Sequence, residues 1–172
     1  MADKLGIYFD SCCFIDMVKL EVGIVLGEDR EKDVWYMKQL LQAARDGEIM
    51  VFTSTLAIAE CTTADGNVTD QVKDTFTRLL VSGQYVVLVQ PTPFIMSDAR
   101  DLRWAHKLAL RGADSVHIAS ALDRKCNEFV TTDGQTKKFK AKQALQSMGL
   151  NLICGHETKC LPHKYLQGSF DV

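Results

Sequence analysis

The chain has no uninterrupted apolar run of about 18 residues, the length that spans a bilayer as a helix. Its opening MADKLG lacks the basic-then-apolar order of a secretory signal. A cytoplasmic protein without membrane association is therefore expected. Neither sign of charge dominates: 20 Lys and Arg stand against 22 Asp and Glu, a formal net charge of −2. The sum is not that of a strongly basic nucleic-acid binder, so the distribution of charge matters more than its total. No G-x-G-x-x-G is present, which removes the fingerprint of a dinucleotide-binding fold. There are only 3 prolines, no internal repeat and no low-complexity linker, and 172 residues suffice for one substantial core. The 6 cysteines belong in a reducing compartment, where Cys12, Cys13, Cys61, Cys126 and Cys154 read as small buried hydrophobes.

What the chain does have is an alternation of short apolar runs with helical patterns. Leu5, Ile7, Tyr8 and Phe9 read as a buried strand, and Phe14, Ile15, Met17 and Val18 as the inner face of the helix that follows. Residues 22–33 are broken by glycine and charge and read as a loop or lid, followed by a helix over 35–46 that stops at Gly47. Further strands are expected at 49–53, 85–89, 128–132 and around Leu152. Helices are expected to carry Glu60, to run over 69–81 and 97–112, to start at Asp114, and to hold Leu145. This order predicts an α/β fold, a three-layer α/β/α sandwich with a mostly parallel central sheet. Residues 1–154 form the domain, and 155–172 read as a peripheral extension. Cys154, His156, Cys160 and His163 have the ligand chemistry of zinc, but their spacing matches no common finger or ribbon. A zinc site is therefore not expected of this group.

Four acids stand where parallel strands would bring them together. Asp10 and Asp133 each follow a strand, Asp114 starts a helix, and Glu60 lies in the helix after the second strand. Taken singly, Asp114 and Asp133 serve as N-caps, a role worth about 1 kcal/mol. Taken together, four carboxylates without a cation would repel one another and raise each other's pKa values. A hard divalent ion, Mg²⁺ or Mn²⁺, removes that objection and directs the chemistry towards phosphoryl groups. Two phosphatase classes lack their motifs. Cys12 stands where the haloacid-dehalogenase type needs a second Asp. Val18 and Lys19 stand where the low-molecular-weight type needs an Arg. Arg111, Lys137 and Lys138 flank Asp114 and Asp133 and are expected to guide a phosphate backbone towards them.

The segments IYFDSCCFID, STLAIAEC, GADSVHIASAL and TTDGQTKKF, in this order, resemble the PIN-domain nucleases over about residues 5–153, in particular the VapC-type toxin ribonucleases and their relatives. The resemblance implies that Asp10, Glu60, Asp114 and Asp133 are the catalytic, metal-binding acids, with Ser11 and Thr131 as supporting polar groups. It further implies a Mg²⁺- or Mn²⁺-dependent endoribonuclease acting on single-stranded or structured RNA, a homodimer, and an antitoxin partner. His117, one turn from Asp114, reads as a packing or hydrogen-bonding residue and not a ligand. The chain departs from a compact toxin in its longer loop at 21–33 and its Cys/His-bearing tail. The competing reading is a catalytically weak PIN-like module that binds RNA or a protein.

Overall fold

A computed structural model describes residues 4–134 and 139–167. Five strands form one all-parallel sheet in the order β3-β2-β1-β4-β5: β1 (Gly6–Phe9), β2 (Met50–Ser54), β3 (Val87–Val89), β4 (Glu128–Val130) and β5 (Asn151–Ile153). The helices are α1 (Ser11–Glu21), α2 (Glu28–Arg45), α3 (Leu56–Glu60), α4 (Asp70–Leu80), α5 (Pro93–Trp104), α6 (Gly112–Asp123) and α7 (Phe139–Ser147). Strand residues alternate between the two faces, as the pleat requires. Ile7, Phe9 and Val51 join Phe14, Met17, Leu40 and Phe76 in one core, beneath α1, α2 and α4. Tyr8, Phe52 and Phe129 join Ile95, Leu102, Ile118 and Leu145 in the other, beneath α5, α6 and α7. The expected three-layer α/β/α sandwich is the observed one.

The chain adds β2 and β3 on one side of β1, then returns to place β4 on the other, with Phe9 opposite Val130. The two neighbouring strands therefore send their following segments to opposite faces. That leaves a crevice at their carboxyl ends, the usual ligand position of an open α/β sheet.

Several boundaries differ from the sequence reading. Helix α2 begins at Glu28, inside the segment read as a loop. Gly27, at φ 90°, turns the chain just before it, and Glu28, Asp29 and Glu31 lie in its first turn, where negative charge favours the helix dipole. Helix α5 begins at Pro93, where the missing N–H is no loss, with the Thr92 hydroxyl accepting from the Ile95 amide at 3.3 Å. It ends at Trp104, well before Gly112. The segment after β5 is not peripheral: Cys160, Leu161 and Tyr165 are buried in the core beneath α2, and the Tyr165 hydroxyl donates to Asp46 at 2.7 Å.

Candidate active site

Asp10 leaves β1 at the crevice and caps α1. Its Oδ1 accepts from the Ser11 amide at 2.8 Å, and its Oδ2 from the Thr131 hydroxyl at 2.8 Å. Its own amide donates to the Val130 carbonyl at 3.1 Å, which extends the β1–β4 pairing by one residue and fixes the carboxylate beside β4. Burial pushes the Asp10 carboxyl above its ordinary value, against the pull of the nearby His117 ring and of its hydrogen bonds.

Glu60 comes to the same place from the last turn of α3. Its Oε2 faces His117 Nε2 at 2.7 Å and accepts from the Ser11 hydroxyl. The buried His117 ring is oriented from its far side by the Tyr8 hydroxyl, 2.9 Å from Nδ1. A Tyr hydroxyl donating to Nδ1 leaves the Nε2 proton for Glu60. The bond from His117 is the chief reason that the Glu60 carboxyl lies below its ordinary value.

Asp114 sits in the first turn of α6, two residues inside the helix start and not at its cap. Arg111, the N-cap residue, donates through Nε to Asp114 at 3.1 Å and through Nη2 to Asp133. The Asp133 amide in turn donates to the Thr131 hydroxyl at 3.1 Å. An open cleft of about 210 Å³ is lined by Asp10, Ser11, Glu60, Arg111, Asp114 and Asp133. The four acids picked out in the sequence thus share one cleft, with Ser11 and Thr131 bonded to them. Lys137 and Lys138 lie outside the described residues.

Mutual repulsion is not the leading cause of either resolved carboxyl shift. Asp10 is shifted upward by burial and not by its acidic neighbours, while Glu60 is shifted downward. Asp114 and Asp133 already converge on one guanidinium, whose own pKa they raise. This convergence also tests the fit of a divalent ion. The cleft draws two carboxylates onto a single positive charge, and its oxygen donors are carboxylates and a hydroxyl, the set that suits Mg²⁺ or Mn²⁺; the Cys12 thiol also lines it, donating to Asp10 Oδ2 at 3.4 Å.

A further acid, Asp16, is buried outside this cleft, 1% exposed. It accepts from Arg30 Nε at 3.1 Å and from the Thr132 hydroxyl at 2.8 Å, joining α1 to α2 and to the segment after β4. Its place between Ile15 and Met17 on an apolar helix was the available signal.

The profile of the PIN domain family matches residues 7–142, and the chain belongs to that family. A comparison with curated proteins returns no match. PIN domains are generally metal-dependent nucleases that act on nucleic acids, usually RNA.

Proposed function

We propose that this PIN domain is a Mg²⁺- or Mn²⁺-dependent endoribonuclease that hydrolyses phosphodiester bonds in single-stranded RNA, leaving 5′-phosphate and 3′-hydroxyl ends. The observation that carries the reading is the cleft itself, with Asp10, Glu60, Asp114 and Asp133 around one opening at the carboxyl edge of the sheet. Those four carboxylates would hold the ion. When bound, a divalent ion supplies orientation of the attacking water and neutralisation of charge on the phosphate. Ser11 and Thr131 aim the Glu60 and Asp10 carboxylates by hydrogen bonds. His117 holds Glu60 from behind. Arg111, two-thirds exposed at the cleft, keeps Asp114 and Asp133 together and offers a guanidinium to a phosphate oxygen. Lys137 and Lys138, which follow Asp133 closely in sequence, are the further cations assigned to the RNA backbone.

In this reading residues 1–154 form the nuclease unit and 155–172 an extension. A toxin role in the cytoplasm, with an antitoxin partner and a homodimer, follows from the resemblance to VapC-type proteins. The exposed Phe94 and Trp104 of α5 offer apolar surface for such a partner. A catalytically weak binding module is the second reading, and the Arg111 bridge favours it, because a guanidinium already neutralises two of the acids.

Incubating the purified chain with single-stranded RNA, duplex RNA and single-stranded DNA, each with Mg²⁺, Mn²⁺ or EDTA, decides between them. Metal-dependent cleavage of single-stranded RNA to 5′-phosphate ends, lost in Asp10→Asn, is expected. RNA binding without cleavage under every condition would establish the second reading instead.

A further inference from the structure

The tail motif that the acid cleft does not use comes to lie against α2. Asp33, in the second turn of that helix, has a side chain only 7% exposed. Its Oδ1 accepts from both the backbone amide and Nδ1 of His156, at 2.9 and 2.7 Å. Among the described residues no donor is hydrogen-bonded to Oδ2. A buried carboxylate normally has its charge paired or bound to a metal. Cys154 completes the group: one ligand atom from each of Asp33, Cys154 and His156 lies within 4.8 Å of the other two. The Cys154 sulfur accepts the Glu157 amide, a backbone bond of the kind that supports a metal-bound sulfur, and the Cys154 amide donates back to Glu157 Oε2 at 2.7 Å.

The approach of the tail is set by Gly155, between the two tail residues of the group. A Cβ there would stand 2.5 Å from the Asp33 carbonyl oxygen, so only glycine lets the backbones meet. Cys160 and His163, the other two members of the sequence motif, are not in the group. Cys160 is buried near Glu128, and burial and that carboxylate push its thiol up to about 12.

We propose that Asp33, Cys154 and His156 form a zinc site that fastens the segment after β5 to α2. A thiol, an imidazole and a carboxylate are the donors that select Zn²⁺ over the hard ions suited to the acid cleft. Zinc bonds of about 2.0–2.1 Å in tetrahedral geometry put N and O about 3.3 Å apart. The present 2.7 Å between His156 Nδ1 and Asp33 Oδ1 opens by about 0.6 Å to admit the ion. The Cys154 thiol would form its S–Zn bond and release its proton to water, His156 would exchange its Nδ1 proton for one on the outer Nε2 through solvent and so give up its hydrogen bond to Asp33, and a water molecule would fill the fourth position. The site shares no residue with the acid cleft.

Titrating the chelator-stripped full chain with Co²⁺ in excess Mg²⁺ tests this, because only a sulfur ligand gives a thiolate-to-cobalt charge-transfer band. One equivalent of Co²⁺ should produce the band, and Zn²⁺ should bleach it. Cys154→Ser should abolish it. Asp33→Asn and His156→Ala, which keep every cysteine, should each weaken binding at least about tenfold. Asp10→Asn should leave it unchanged, which separates this result from the fate of the nuclease reading. No band in the wild-type chain, a band that survives Cys154→Ser, or wild-type affinity in His156→Ala would overturn the site.

Discussion

At the scale of single residues, the acids of the cleft carry charge in opposite ways, and this separates their expected behaviour. Asp10 has a folded pKa raised by burial, so the folded protein binds more protons than the unfolded chain. The stability linked to this group is complete below the unfolded value of about 4 and is lost as pH rises through the folded value. Asparagine is as good an N-cap and keeps an acceptor for the Ser11 amide. Asp10→Asn is therefore expected to be more stable than wild type near neutral pH without metal, the difference vanishing below about pH 4. Melting curves in EDTA across that range measure it, and a difference that does not change with pH would remove burial as its cause. Asp114→Asn should behave otherwise. Its partner Arg111 is exposed and the pair is screened by solvent, so a loss of about 1 kcal/mol or less is expected. Asp10 was legible in the sequence because an acid directly after an apolar strand has few structural uses. The Arg111 bridge was not legible, because a three-residue spacing to Asp114 and a 22-residue spacing to Asp133 become one contact only after α6 is set beside β4.

At the scale of elements, apolar periodicity located the strands and most helices, while polar stretches hid two of their limits. The charged start of α2 resembles a solvated loop when read locally. It is helical because its later turns bury Val34, Met37 and Leu40 and its acids lie at the favourable end. The tail was misjudged for a related reason. Its few apolar residues have no period, and their burial depends on Gly155 approaching the backbone of α2. This gives a prediction at the same scale. In Gly155→Ala the new methyl meets the Asp33 carbonyl and backbone carbons, none of which is a flexible side-chain end. A loss of about 1–3 kcal/mol is expected, the usual cost of overpacking. A denaturation midpoint equal to wild type would show that the tail can shift along α2 without cost.

At the scale of the whole molecule, the sheet order explains why the four acids meet, and charge distribution explains how a polyanion would reach them. Alternating strands and helices made a parallel sheet the economical reading, and right-handed crossovers bring the carboxyl ends to one edge. The strand order itself, and with it the crevice between β1 and β4, had to come from the structure. With a net charge of −2, the molecule as a whole gives RNA no attraction, so the proposed RNA binding needs a few local cations. Arg111 is at the cleft, and Lys137 and Lys138 follow Asp133 closely in sequence. Each cation that neutralises a phosphate of a single strand contributes about 0.7 to the slope of log affinity against log salt. Replacing all three with alanine should lower that slope by about 2, and the loss of affinity should be largest at low salt. Asp10→Asn serves as the background, so that binding is measured without cleavage. A triple variant whose slope matches that of Asp10→Asn alone would mean that the backbone enters from another side, with Arg111 kept for holding Asp114 and Asp133.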